Sequence, residues 1–147
     1  MGRTLLFFLV TLLIVPSAWA QSEDPIITDR PDFTESPVSV SPGTIQIELG
    51  ATAFDYDAGS LWNAGETLVR YGLFNKVEMR LQLPSAIGGD DLDSGLSDSG
   101  FGVKIELGSF AQRVEMALIA STTLPTGADD FTSDAVDPGL ILAAGMM

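Results

Sequence analysis

The sequence predicts an all-β protein, an antiparallel up-and-down β-barrel of the outer-membrane type that is truncated here to about six strands. Three observations lead to this fold class. Apolar and polar residues alternate with period two in several segments. The connections between these segments are alternately short and long, and no segment shows a helical period. Alternation of this kind is typical of strands with one apolar and one polar face.

Residues 1–20 have the composition of a secretory signal peptide. Arg3 precedes an apolar run over residues 5–15, and Ala18-Trp19-Ala20 forms a small-residue cleavage site. The run is too short for a membrane-spanning helix, which needs about 20 residues. We therefore expect an exported bacterial protein whose mature chain begins after residue 20.

Composition excludes several classes of function. The 147 residues include 7 basic and 20 acidic side chains, a formal net charge of −13, and no cysteine or histidine. Zinc sites built on Cys or His, cysteine nucleophiles, Ser-His-Asp triads and disulfides are excluded. Nucleic acid is not an expected partner, because its phosphates would be repelled. We expect no catalytic residues, no metal ligands and no cofactor, and therefore no enzyme.

The period-two alternation predicts six strands. In residues 44–53 Ile45 and Ile47 alternate with Gln46 and Glu48, and the same pattern returns in residues 76–83, 101–107 and 113–124. Residues 67–71 are a weaker case, because Leu68 shares a side with Arg70. Residues 140–147 are apolar without alternation and are predicted as a strand from their position alone.

The predicted connections alternate between short and long. Residues 72–75 and 108–112 are short enough for hairpin turns, whereas residues 55–66, 84–99 and 125–138 are long. Outer-membrane barrels have tight periplasmic turns and longer outer loops, so this order favours a barrel over a soluble sheet.

Two of the long connections are rich in aspartate. Residues 84–99 and 125–138 each contain four Asp and no basic residue, but the spacing does not fit a helix-loop-helix calcium site. They are interpreted as solvated loops; binding of divalent cations or steering of cationic solutes is the alternative.

Alternate residues of a strand share one face. If the apolar positions of each strand face outward, most charged residues of the strands lie together on the opposite face. A barrel requires this arrangement, because an Arg or Lys facing lipid at mid-bilayer costs about 2 to 4 kcal/mol. Lys76 and Arg113 belong to this polar set. The candidates that line the lumen are Glu48, Arg70, Glu78, Arg80, Lys104, Glu106 and Glu115. A solvated outer face of a soluble sheet is the alternative.

Residues 21–43 read as an extended leader, periplasmic or lumenal, and contain a distinctive charged motif. Its members are Asp29, Arg30, Pro31, Asp32 and Glu35. An arginine between two carboxylates, stiffened by the following proline, predicts a self-paired polar knot inside the lumen at its periplasmic end. The alternative is a capped turn that only positions the first strand.

The leader and several strand segments resemble a known family. The run Thr-Asp-Arg-Pro-Asp-Phe-Thr-Glu-Ser-Pro over residues 28–37 is the most specific piece, and the likeness continues in residues 40–50, 67–73, 77–81, 100–104 and 121–127. These segments resemble the MetA-pathway of phenol degradation family, roughly over residues 28–145. The resemblance implies an exported outer-membrane β-barrel that takes up small compounds, often aromatic or hydrophobic.

The expected function is that of a transporter or porin-like protein, with outer-membrane lipid and a small solute as partners. Residues 44–147 would form a partial barrel, because a closed single-chain barrel needs about eight strands or more. We expect a fragment or, less favoured, closure by oligomerisation; the sequence leaves the oligomeric state open. Two alternatives remain: a soluble exported lipocalin-like barrel with its apolar parity inward, and a surface protein of the outer membrane that does not transport.

Overall fold

The computed structural model describes residues 26–30, 34–57, 59–90 and 92–146. The predicted signal peptide, Pro31 and Asp32 lie outside this part of the chain. All regular structure in the described ranges is β-strand, as predicted. None of the described residues form a helix long and apolar enough to cross a membrane.

One antiparallel sheet contains every strand. The strands are β1 (Ile45–Tyr56), β2 (Gly59–Phe74), β3 (Val77–Leu83), β4 (Ala86–Gly89), β5 (Leu92–Leu96), β6 (Ser99–Phe110), β7 (Val114–Leu124) and β8 (Asp137–Met146). β1, β2, β3, β6, β7 and β8 follow one another across the sheet, while β4 and β5 extend it beside β2. The all-β, antiparallel, up-and-down fold class is therefore confirmed. The sheet is open within the described residues, with β1, β5 and β8 at its edges.

Two of the predicted long loops are wrong, and with them the strict alternation of short and long connections. Residues 55–66 belong mostly to β1 and β2, and residues 84–99 form β4 and β5. β4 continues the line of β3 after a break at residues 84–85, and β6 continues that of β5 after residues 97–98. The eight strands thus make six passes across the sheet.

Local backbone irregularity explains why these extensions carry no clear alternation. The register of β1 with β2 shifts between Gly50 and Ala51, where Gly65 has a φ of 74°, so the parity of side chains changes along β2. Glycines in β4 and β5 also remove the apolar signal that a period-two search needs. The third predicted loop is present and ends at residue 136.

The two faces of the sheet differ sharply in burial. In β3, Glu78 and Arg80 are 0% and 7% exposed, whereas Met79 and Leu81 are 48% and 46% exposed. β1 repeats this pattern, with Glu48 buried between exposed apolar neighbours. We call the side that carries the buried charges the covered face, and the opposite apolar side the bare face.

The leader is what covers the charges. Its described parts, residues 26–30 and 34–43, lie on the covered face. The backbone N–H of Gly43 donates to the carbonyl oxygen of Gly72 at 2.8 Å, and that of Val40 donates to Glu78 Oε2 at 2.8 Å. Ser39 donates through its N–H and its hydroxyl to Glu106 Oε1, each at 2.6 Å.

Residues 37–42 of the leader therefore run across the strands rather than along them. They pass from β8, where Pro37 faces Gly145, over β6 and β3 to β2, where Pro42 pairs with Gly72. This crossing lies near the turns at residues 75–76 and 111–113, which mark what we call the leader end of the sheet.

The close approach of the leader to β2 requires a glycine. A Cβ on Gly72 would clash with the carbonyl oxygen of Ser41 and lie 2.6 Å from that of Val40. We expect Gly72→Ala to loosen the leader, so that a Glu-specific protease cleaves after Glu35 about tenfold faster, a loss of ~1.4 kcal/mol in docking. Thr67→Ala, on the bare face of the same strand, is the control and should not change the rate. Equal cleavage in both variants would contradict this packing.

Candidate functional site

The centre of the covered face is the carboxylate of Asp29, which is 2% exposed. Its Oδ2 accepts from Lys104 Nζ at 2.6 Å and from Arg80 Nη1 at 2.5 Å, and Arg70 Nη1 lies 3.5 Å away. Oδ1 accepts the backbone N–H of Ser36 at 2.8 Å. One leader carboxylate therefore binds cations from β2, β3 and β6.

Arg70 is held on every side by acceptors. Its Nε and Nη2 donate to the carboxylate of Glu78, both at 2.9 Å, and Nη1 donates to Glu48 Oε1 at 3.0 Å. The backbone carbonyls of Ile27 and Val38 in the leader accept at 2.9 and 2.8 Å. A guanidinium presents its donors in a fixed planar fork, so this surrounding set fixes both the side chain and the leader.

Arg80 and Lys104 complete the cluster. Arg80 Nη2 donates to Glu35 Oε2 at 2.6 Å, and Nη1 also reaches Glu78 Oε1 at 3.1 Å. Lys104 Nζ lies 3.8 Å from the same Glu78 oxygen. We call the resulting set the ion cluster: Asp29, Glu35, Glu48, Arg70, Glu78, Arg80 and Lys104.

The register of the strands explains why the leader is needed. β2 and β3 place Arg70 directly opposite Arg80, and like charges in that position repel. β3 and β6 then bring Lys104 opposite Glu78. A buried charge without a partner costs several kcal/mol. The leader supplies the additional carboxylates, so that the ion cluster contains four acids and three bases.

The two leader carboxyls are shifted in opposite directions. Burial alone would raise the pKa of Asp29, but hydrogen bonds and charge from Lys104, with Arg80 and Arg70, hold that pKa well below its usual range. Stability from Asp29 is therefore present above its unfolded pKa and lost only as the pH falls through the lower folded value.

Burial raises the pKa of Glu35, and neighbouring Asp29 adds to this while Arg80 opposes it. The folded state therefore keeps a proton on Glu35 up to a higher pH than the unfolded state does. The stability that this difference contributes is lost as the pH rises through the raised folded pKa.

The predicted lumen-lining residues share the covered face. Six of them, Glu48, Arg70, Glu78, Arg80, Lys104 and Glu106, contact the leader or belong to the ion cluster. Glu115 is half-buried and accepts from Ser109 Oγ at 3.3 Å. Their role in lining a lumen stays a prediction. Lys76 and Arg113 lie in turns, not in strands as expected, because β3 begins at residue 77 and β7 at residue 114.

The self-paired knot predicted for the leader motif is wrong for Asp29 and Arg30. Arg30 Nη1 instead contacts Glu66 Oε2 at 3.3 Å, while Asp29 binds the sheet. Three cations buried on the sheet outcompete the adjacent arginine, which keeps partial exposure. Asp29 and Glu35 both enter the ion cluster, and Asp32 lies outside the described residues.

Sequence reasoning missed Glu66 and Ser39. Glu66 is buried on the covered face and also accepts from Thr52 Oγ1 at 2.8 Å. Glu66 is two residues before Leu68 and four before Arg70, so it would share their face of a strand. This signal was missed because residues 55–66 were predicted to form a loop. Ser39 gave no signal, because its partner is distant in sequence.

The described residues contain no group of three or more side chains placed to hold a metal ion. One acidic residue of the aspartate-rich segments instead organises the chain around it. The Asp98 carboxylate accepts the backbone N–H groups of Thr126, Gly127 and Ser133 at 2.9, 2.8 and 3.2 Å. Asp98 thereby fastens the long loop before β8 to the sheet.

The described residues belong to an all-β class of protein, in which one open antiparallel sheet has a charged face and a leader segment covers that face. A family model described as Putative MetA-pathway of phenol degradation matches residues 28–145, which include the leader motif and all strands up to the end of β8 except its last residue. The chain belongs to this family. No curated protein and no solved structure matches it.

Removal of the central negative charge should destabilise the fold. In Asp29→Asn, Lys104 and Arg80 stay buried with one charged partner fewer, and breaking such a buried pair costs about 3 to 5 kcal/mol. We expect a loss of this size in the free energy of unfolding measured by urea titration. Asp129→Asn removes the same charge from an exposed loop and should change stability little. Similar unfolding curves for the two variants would rule out a structural role for Asp29.

Proposed function

We propose that the chain forms the wall of an outer-membrane β-barrel that takes up small compounds, including aromatic and hydrophobic ones. One observation carries this proposal. The side of the sheet that carries the apolar residues of the strands is bare, and the side that carries their charged residues is covered by the leader. A soluble sheet protein has the opposite arrangement, because burial of apolar side chains drives its folding. Membership of the family supports the same assignment.

The bare face has the extent and composition that lipid would contact. Large exposed apolar side chains occur on every long strand except β7, among them Ile45, Ile47, Leu49, Tyr71, Met79, Leu81, Phe101, Ile105, Leu107, Leu140 and Leu142. Soluble monomers rarely expose contiguous apolar patches of this kind. Tyr71, Phe74 and Phe110 lie toward the leader end, where a barrel carries an aromatic girdle at the membrane interface.

The same arrangement disfavours the lipocalin-like alternative. Such a barrel needs the apolar parity of its strands on the enclosed side, where a hydrophobic ligand is held. In β1 and β3 the enclosed side carries Glu48, Glu78 and Arg80 instead. The alternative of a surface protein without transport requires the same wall, so only a flux measurement separates it from our proposal.

The leader defines the path that a solute would take. A compound that moves along the covered face passes beside the leader, which shields the buried ion cluster, and then reaches the crossing of residues 37–42 at the leader end. Opposed charges held at fixed positions would impose a transverse field on the passing solute and so contribute to selectivity.

Uptake of labelled phenylalanine into lipid vesicles tests this proposal, because its zwitterionic group makes it cross lipid slowly. We expect vesicles that contain the protein to take up the solute faster than protein-free vesicles. Gln82→Trp places a bulky ring on the covered face and should remove more than half of this uptake. Leu81→Trp, the adjacent position on the bare face, should leave uptake unchanged.

Uptake equal to that of protein-free vesicles, with the protein embedded in lipid, would favour the non-transporting surface protein. Recovery of the protein outside the vesicle fraction would favour a soluble module. Equal inhibition by both substitutions would show that the covered face is not the path.

A further inference from the structure

A cavity of about 130 Å³ opens on the covered face beside the ion cluster. The sheet provides part of its wall, where Leu68 and Ile119 are almost fully buried. The leader provides another part, through the side chains of Arg30 and Glu35. An apolar wall and two side chains of opposite charge therefore meet at one small space.

Arg30 keeps hydrogen-bond donors that no described residue uses. Within the described part of the chain only its Nη1 donates, to Glu66 Oε2 at 3.3 Å, and the side chain is 24% exposed. Glu66 is itself shared, because it also accepts from Thr52 Oγ1. A guanidinium presents five N–H donors in a planar fork that matches the two oxygens of a carboxylate. Arg30 is therefore able to bind a second carboxylate at the cavity.

Glu35 is the complementary group. Its Oε2 accepts from Arg80 Nη2 at 2.6 Å, but Arg80 also donates to Asp29 and Glu78, so one cation serves three carboxylates. Burial raises the pKa of Glu35, and the neighbouring Asp29 adds to this shift, because the ionised carboxyl has too little positive charge around it. An ammonium group in the cavity would supply that charge.

The two signs of charge select the ligand. An anion without an ammonium group would meet Glu35 and the ion cluster, in which four acids face three bases. A cation without a carboxylate would meet the positive charge of Arg30. A molecule that carries one charge of each sign offers a counter-charge to both residues, and charges in a partly buried place need such partners.

The size of the cavity limits the ligand further. A cavity of ~150 Å³ holds benzene, so a volume of about 130 Å³ suits a molecule with about as many non-hydrogen atoms. Leu68 and Ile119 offer apolar contact to a short aliphatic side chain. The Gln82 amide and the Ser121 hydroxyl also line the cavity, and neither side chain makes a hydrogen bond to another described residue. They add uncharged donors and acceptors beside the two charges.

We propose that this cavity binds a small zwitterionic amino acid, with Arg30 on its carboxylate, Glu35 on its ammonium group, and the apolar wall against its side chain. The inference rests on the proposed uptake function, since it names a class of compound that the covered face takes up. Binding itself needs no transport and can be measured separately.

The test titrates the full chain, in lipid nanodiscs and with labelled isoleucine methyl groups, with L-alanine. The Ile119 signal, from the cavity wall, should shift and saturate, whereas the Ile47 signal on the bare face should not move. Three compounds of similar size serve as comparisons: propionate lacks the ammonium group, ethylamine lacks the carboxylate, and lactamide has no charge. Each should bind at least about tenfold more weakly, because each loses one or both charge-assisted contacts.

Two substitutions assign the two charges. Arg30→Gln should weaken alanine binding at least about tenfold and leave ethylamine binding no weaker, because ethylamine has no carboxylate for Arg30 to bind. Glu35→Gln should weaken alanine binding to a similar extent and leave propionate binding no weaker. Arg113→Gln and Asp129→Asn remove one charge of each sign from exposed positions outside the cavity, and both variants should bind alanine as the unsubstituted protein does.

Several results would overturn the proposed site. They are an Ile119 signal that does not saturate with alanine, binding of propionate, ethylamine or lactamide as tight as that of alanine, and an unchanged alanine affinity in Arg30→Gln. The comparison of the four compounds on the unsubstituted protein decides the matter even where a variant does not fold.

The outcomes separate this site from the proposed function. Saturable binding of alanine at Ile119 without any vesicle uptake would support the site and remove the transport proposal. Uptake of phenylalanine without a response of Ile119 to alanine would leave transport in place and remove the site.

Discussion

Arg70, Arg80 and Lys104 project from neighbouring strands into one buried layer, and the carboxylate of Asp29 lies within reach of all three. Cations brought this close repel one another, and the medium around them screens little because they are buried. The sheet provides Glu48 and Glu78 as partners, and the leader provides the remainder. Docking of the leader and burial of the charged face are thus one event, because neither arrangement is tolerable without the other.

This coupling has consequences for both faces of the sheet. With the charges enclosed, the large exposed side chains of the bare face are apolar, which is the arrangement that the proposed contact with lipid requires. The leader also occupies the covered face at the leader end. The space that remains on this face lies beside Leu68 and Ile119, farther from the leader end than the ion cluster. A family defined by its leader motif and its strands together is consistent with a fold in which the two depend on each other.

The sequence predicted the regular parts of this fold and missed the irregular ones for physical reasons. Strict alternation in β1 and β3 identified both strands and the side of each that carries charge. Successive side chains of a strand point to opposite faces, so alternate residues share one face. The extensions β4 and β5 were missed because glycines and a bulge interrupt that period. The pairing of Asp29 with the sheet was missed as well, because its partners are 51 and 75 residues away, and spacing along a chain reports only local contacts.

The most direct test of the separation between a bare lipid-facing side and an enclosed charged side is an accessibility scan, which the absence of cysteine makes possible without further substitution. Single cysteines at Met79, Leu81 and Val103 on the bare face, and at Gln82 and Ser121 on the covered face, would be spin-labelled in protein reconstituted into lipid. Labels on the bare face should relax strongly with oxygen, which concentrates in lipid, and labels on the covered face should not. Equal response on both faces, or strong relaxation of the bare-face labels by a water-soluble nickel reagent, would contradict the assignment of that face to lipid.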